Sequence, residues 1–460
     1  MSRKLQGKLS LSELAAEVDN GAIETVLVVF PDMYGRLLGK RLAATFFLDH
    51  AAEGGTHVCD YLLACDIEMD PVPGYTFTSW EKGYGDMHAV ADVSTLRRAA
   101  WLPGTAIVIC DLFMPDHSAA APAPRRILQR QLERATSLGF NINIGTELEF
   151  YIFDESYASA RDKGYRDLKT TASYIEDYHI LQGTREEPVL SAIRRELAKS
   201  AVSVEGTKGE WGPGQQELNL IYSSALDQAD QVVICRHASK EIADAQGKAI
   251  TYMAKWDSTL AGSGMHMHVS LWDLDGESAF NGPIKLGSAS VSDTFRHFLA
   301  GALAYALDST AFYAPNVSSY KRFQASSFAP TGIAWSDDNR TAGFRVVGTG
   351  KSLRIECRIP GADANPYLAY AAFIAAGLEG IEKQLEPPPP FAGDIYQAAS
   401  MPRLQTSLRD AVASFDQSEF ARSSFGSDVV DHYIHFFKTE QRKFDEIVTD
   451  WEKARFFERI

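Results

Sequence analysis

Glu147 and Glu149 stand two residues apart in the run INIGTELEFYIF. His266 and His268 repeat that spacing in GMHMHVSLWD, and Glu356 and Arg358 repeat it in RIECRIP. All three runs read as strands. Side chains alternate faces along a strand, so each pair projects to one side of its sheet. A buried carboxylate or imidazole without a partner is costly, so three such pairs on one sheet face predict convergence on something charged. A Glu-x-Glu pair alone is more often plain solvated surface, and a lone His-x-His is more often structural. Here Leu148 and Phe150 flank Glu149 and the run is hydrophobic on both faces, which predicts a central strand. Glu210 and Glu217 add two carboxylates around a Trp-Gly-Pro-Gly turn. Hard oxygen donors with one imidazole favour Mg²⁺ or Mn²⁺ over zinc.

A basic cluster follows. Arg322, Arg340, Arg345, Arg354 and Arg358 fall within a short stretch. Arginine holds carboxylates and phosphates through a planar fork of donors. Such a set beside a carboxylate-rich metal site suits phosphoryl transfer, where positive charge offsets the charge on the moving group. The sequence has no G-x-x-x-x-G-K-[ST] loop, so the phosphates must be held another way.

The elements that position these residues divide into two groups. SLSELAAEVDN (10–20) predicts a capped helix ending at Asn20-Gly21. IETVLVVFPD and RLLGKRLAA predict strands joined by the turn Asp32–Gly35, and YTFTSW, MHAVADV and TAIVICDLF read as further strands. HSAAAPAPR (117–125) reads as a linker, which sets domains at 1–118 and 119–460. Beyond it, RRILQRQLERATSLGF predicts an amphipathic helix, and strands then alternate with helices. QVVICRHASKEIADAQGKAI reads as one long helix, and 295–310 and 365–382 read as largely buried helices. Pro387–Pro390 break the chain, and the tail from about 404 reads as helical. The fold class is α+β: helices packed on an antiparallel sheet, not a doubly wound one.

Bulk properties exclude other classes. The 460 residues carry 45 basic and 60 acidic side chains, net −15, which argues against a nucleic-acid or anionic-membrane surface. The five cysteines form no C-x-x-C pair, so neither a disulfide framework nor a structural zinc site is expected, and a reducing cytoplasm fits. The N-terminus lacks a signal-peptide core, and no apolar run reaches the roughly 18 residues of a membrane span.

GTELEF (145–150), EWGPGQQE (210–217), GSGMHMHVS (262–270), NVSSYKRF (316–323), DNRTAGFRV (338–346) and RIECRIPGADANPYLA (354–369) resemble, in order, the motifs of type I glutamine synthetases. The resemblance implies an N-terminal β-grasp-like domain, a larger catalytic domain, and a dodecamer of two six-membered rings with active sites between subunits. It implies a first metal site at Glu149, Glu210 and Glu217 and a second at Glu147, His266 and Glu356. By the same resemblance His268, Ser270 and Arg354 match nucleotide-binding positions, and Arg340 and Arg345 handle the transferred phosphate. Arg322, Arg358 and Gly262 match positions around glutamate. ATP would be co-substrate, and γ-glutamyl phosphate the intermediate.

The sequence also departs from the pattern. Members that make glutamine carry Pro-Gly-Tyr-Glu-Ala-Pro after the Tyr-Lys-Arg motif, and their glutamate helps bind ammonium. This chain reads Ala325-Ser-Ser-Phe328-Ala-Pro330. A phenyl ring accepts no proton and offers an amine only a modest cation–π attraction or an apolar wall. Ala261 stands where those members have an asparagine that touches glutamate. Their ammonium-binding Asp-Gly-Ser-Ser segment is missing too, with Asp60 as a candidate substitute and Asp66 a weaker one. Tyr396 sits where some members carry a modified regulatory tyrosine, but its surroundings predict an ordinary exposed side chain. The pattern resembles γ-glutamylamide synthetases, enzymes that act on polyamines, ethanolamine, alkylamines or anilines. An ammonium-using glutamine synthetase and a catalytically inactive relative are the competing readings.

Overall fold

The computed structural model describes residues 5–398 and 400–460. Two large sheets organise the described residues. The first is mixed and six-stranded, drawn from residues 25–113. Thr105–Phe113 lies at its centre, parallel to Thr25–Pro31, which in turn pairs antiparallel with Leu37–Ala43. The helix Leu11–Asp19 precedes it, closed by a capping box between Ser10 and Glu13 as the sequence predicts.

The second sheet carries the chemistry. Its strands run in the order Trp335–Asp337, Phe344–Val347, Arg354–Cys357, Met265–Asp273, Phe140–Phe153, Gln215–Ser224 and Val204–Gly209. Pairing is antiparallel except at the Trp335–Asp337 edge, which runs parallel to Phe344–Val347. Phe140–Phe153 is interior, as its two-sided apolar pattern predicts: Leu148, Phe150 and Ile152 are buried on one face, and Tyr151 and Phe153 on the other. Helices Pro124–Ser137, Ala225–Asp244 and Pro366–Glu382 stack on the face opposite the paired residues and fill the main core.

Helix Pro366–Glu382 begins with Pro at its first turn and Asn365 as N-cap. The Asn365 amide also donates to the carbonyls of Asp32 and Met33, both 3.1 Å away, and so ties the catalytic sheet's helix to the N-terminal hairpin turn. Arg125 is a second tie. It is 3 % exposed and bonds Asp92, Asp111 and Asp230, which lie on both sides of the junction.

Several expectations need correction. YTFTSW forms no strand: Tyr75 instead stacks on His432 and His435 of the helix Ser427–Asp445, and Thr78 donates to Asp60. The long helix spans Ala225–Asp244, because Gly247 turns the chain with positive φ and Ala249–Thr251 then pairs with the central strand. Residues 295–310 divide into Asp293–Ala304 and Ala306–Tyr313 at Tyr305. The 117–125 segment connects the two sheets, with Ala120 and Ala123 buried.

Candidate active site

Strand register brings the paired residues together. Glu147 faces His266 on one side and Asn219 on the other, and Glu149 faces Glu217. Glu356 faces His268 and Arg345. Two donor groups result. One ligand atom each from Glu147, His266 and Glu356 lie within 4.8 Å of one another, as do those of Glu149, Glu217 and His266. His266 joins the groups: Nδ1 lies 3.0 Å from Glu147 and 3.7 Å from Glu356, and Nε2 lies 3.7 Å from Glu149.

The electrostatics show crowded negative charge. Burial, with repulsion from Glu147, Glu210 and Glu149, pushes Glu217 up to about 9. Burial and the neighbouring Glu210 raise Glu149 too. Burial acts the same way on Glu147, but hydrogen bonds from His266 and His268 outweigh it and hold that carboxyl well below its usual range. Glu356, although buried, is held down to about 2 by Arg358, His268 and His266. Oxygen donors clustered this tightly, with one imidazole between them, fit one or two hard divalent cations.

Glu210 lines the same cavity but belongs to neither group. Its carboxylate pairs with Lys208, whose Nζ is also 3.8 Å from Glu217 and 4.6 Å from the Tyr178 ring centroid. Lys208 thus supplies the cation nearest those two carboxylates. The sequence reading missed Lys208 and Asn219, although each lies two residues from a glutamate it did select. Strand alternation from Glu217 would have found Asn219.

The arginines form the facing wall of a cavity of about 720 Å³. Arg322 is buried and donates to the carbonyls of Ile359 and Arg358 at 2.8 and 3.1 Å. Gly262 and Gly264 make room for it: a Cβ at Gly264 would fall 2.6 Å from its Nη2. Arg358 donates to Glu356 at 2.5 Å and Arg345 does so at 2.9 Å. Arg358 Nε is buried without a partner, a donor left for a ligand. Arg340 is exposed at the rim. Phe328, on the loop 325–330, packs edge-on against Trp211 at 5.5 Å over the same cavity. Tyr396 is half-buried, not freely exposed: its hydroxyl donates to Ala329 O at 2.9 Å and props that loop.

An adjoining cavity of about 530 Å³ is lined by His268, Ser270 and Arg354, and shares Glu147, Glu205 and Asn219 with the first. Arg354 Nε lies 3.2 Å from His268 Nδ1. Asp60 stands apart. It sits in the first sheet's 3₁₀ turn Asp60–Leu63, accepts from Thr78 at 2.6 Å, and lines neither cavity. Asp66 is likewise engaged elsewhere, by Lys443.

A sheet face of glutamates and one shared imidazole, walled by arginines, lies within residues 121–456, which match the glutamine synthetase catalytic domain, and the chain belongs to that family of ligases. Ligases of this family use ATP and a divalent metal ion. Among its relatives is the gamma-glutamylethanolamide synthetase GlnA4 of Streptomyces coelicolor, 47 % identical over 452 residues, covering 98 % of this chain and 96 % of that protein. The glutamate–isopropylamine ligase of a Pseudomonas species is 34 % identical, covering 99 % of each chain. The solved GmaS/ADP complex superposes with a TM-score of 0.84 at 27 % identity, covering 96 % of this chain and 99 % of that one. Among the described residues no helix is long and apolar enough to cross a membrane.

Proposed function

We propose that this chain joins an organic amine to the γ-carboxylate of L-glutamate, with ATP as co-substrate, making a γ-glutamylamide. The observation that carries this reading is the Phe328–Trp211 aromatic wall beside an otherwise complete set of carboxylates and arginines. Similarity to an ethanolamide synthetase and an isopropylamine ligase supports it.

In the first step a γ-carboxylate oxygen attacks the terminal phosphorus of ATP, the bond to ADP breaks, and γ-glutamyl phosphate forms. Arg322 and Arg358 hold glutamate beside Gly262, and Arg340 and Arg345 offset charge on the moving phosphoryl group. His268, Ser270 and Arg354 hold the nucleotide in the adjoining cavity. Glu147, Glu149, Glu210, Glu217, His266 and Glu356 would hold Mg²⁺ or Mn²⁺, whose chemistry is to neutralise phosphate oxygens. In the second step the amine nitrogen attacks the acyl carbon, phosphate leaves, and the nitrogen gives up a proton. Phe328 and Trp211 cover the alkyl part of the amine. Asp60, too far from the cavity within one chain, would act from a neighbouring subunit as the proton acceptor.

That role requires a ring, so the same reading includes a dodecamer of two hexameric rings acting in the cytoplasm, with domains at 1–118 and 119–460. Twelve chains of 50.7 kDa give particles of about 600 kDa by mass photometry. A phosphate-release assay with glutamate, Mg²⁺ and a panel of amines tests the activity. Organic amines are expected to exceed ammonium in kcat/KM. Ammonium as the best substrate would instead support a glutamine synthetase, and no turnover with any amine an inactive relative.

A further inference from the structure

Arg322 points from the 3₁₀ turn Ser319–Arg322 into the catalytic cavity. On the other side of that turn lies a separate cavity of about 830 Å³, with Lys321 on its wall. The hairpin turn at Tyr34–Leu37 and the helix Ala225–Asp244 close it. Nothing in the ligase chemistry uses it.

Arg236 lies in this cavity, 9 % exposed. Among the described residues its one hydrogen bond runs from Nη2 to Met265 Sδ at 3.4 Å, and its Nε is buried without a partner. No carboxylate there comes within ion-pair distance of it. Its guanidinium instead lies 5.8 Å from the Tyr252 ring centroid. Among the described residues Lys240 and Lys321 also lack ion pairs, with Nζ atoms 5.9 Å from the Tyr252 ring centroid and 5.6 Å from that of Phe444.

The cavity's remaining charges are engaged. Arg36 pairs with Asp32, and Lys443 with Asp66 and Glu68. Glu440 accepts from Tyr34 at 2.6 Å, and Asp363 Oδ2 accepts from Asn316 and Ser319. Among the described residues, three of the cavity's cations are therefore left without an ion pair, in a chain of net charge −15. Burial weakens the charged form of Arg236. A buried guanidinium favours an anion that its fork can grip.

We propose that this cavity binds a small organic or inorganic anion, a carboxylate or a phosphate, held by Arg236, Lys240 and Lys321. Tyr252 and Phe444 give the ligand apolar cover. Asp363 Oδ1, also buried without a partner and lining the cavity, favours a ligand with a hydrogen-bond donor beside its anionic end.

Calorimetric titration of the intact enzyme tests the site. Malate and inorganic phosphate are the two probes, each titrated with glutamate and ADP saturating the catalytic cavity. At least one probe should bind, and which one does identifies the anion. Arg236→Met should weaken it by roughly 10-fold or more. Lys240→Gln and Lys321→Gln should each weaken it several-fold, and both lie at the rim where folding is not at stake. The proposal falls if neither probe binds below about 10 mM, or if these variants titrate like the parent. The cavity would then hold water that solvates Arg236 Nε. Either failure leaves the ligase reading intact, because the amine panel tests that separately.

Discussion

Phe328→Glu places a carboxylate where the glutamine-forming pattern described above has one. Phe328 sits at φ +59°, so phenylalanine and glutamate bear the same left-handed backbone strain and that cost cancels. The side chain is 46 % exposed, and its ring lies 5.5 Å from Trp211. A carboxylate about 4 Å from an ammonium gains about 4 kcal/mol at an effective dielectric near 20. Exposure at the rim reduces this to roughly 1 kcal/mol, about fivefold in rate. Losing the edge-to-face pair removes about 0.5–1.5 kcal/mol of support for the apolar wall, a 2- to 10-fold loss with alkylamines. Together the preference for organic amine over ammonium should fall by about 10- to 50-fold. Phosphate release measured with each nucleophile gives the ratio of kcat/KM directly. A ratio within twofold of the parent would refute the assignment of Phe328 to the amine pocket, provided the ATP KM is unchanged.

Glu356→Gln keeps the side-chain volume but removes the charge that Arg345, Arg358 and His266 share. Turnover and divalent-ion affinity should each drop by roughly 10- to 100-fold, the latter read by calorimetry, and near-normal values would break the site map. Arg125→Met strands three carboxylates at the junction and should cost about 3–5 kcal/mol, seen as a lower thermal-inactivation temperature; an unchanged temperature would count against that tie. His432 is buried against Leu63 O and pushed by burial from 6.5 down to about 3. Its folded pKa is depressed, so the unfolded chain takes the proton first. Its contribution is full above pH 6.5 and is lost as pH falls toward 3, by roughly 5 kcal/mol in all. Denaturation of His432→Gln at pH 7 and 5 should show a flatter pH dependence, and an identical slope would contradict this.

Alternation made much of the sheet legible. The two-residue spacings of Glu147 with Glu149 and His266 with His268 predict a common face, and the register delivers it. Periodicity says nothing about distant partners, which explains the failures. YTFTSW has strand composition, but Tyr75 gains more from the rings of His432 and His435, more than 350 residues away in sequence. Lys208 was invisible for a different reason: a lone lysine beside a glycine looks like surface until the strand Val204–Gly209 lays it against Glu217. Asp60 was chosen for its type and place in the chain; within one chain it accepts from Thr78, and the role proposed for it depends on a neighbouring subunit.

Glu147, Glu149, Glu217 and Glu356 ride on paired strands whose neighbours fix them on both sides. The aromatic pair rides on something else: Phe328 on the 325–330 loop, Trp211 on a turn. Loops accept substitution that central strands do not. The choice of nucleophile can therefore drift, mutation by mutation, while the machinery that activates glutamate stays still. One scaffold could in this way open many nitrogen sources to its host, each reached by rewriting a few rim residues.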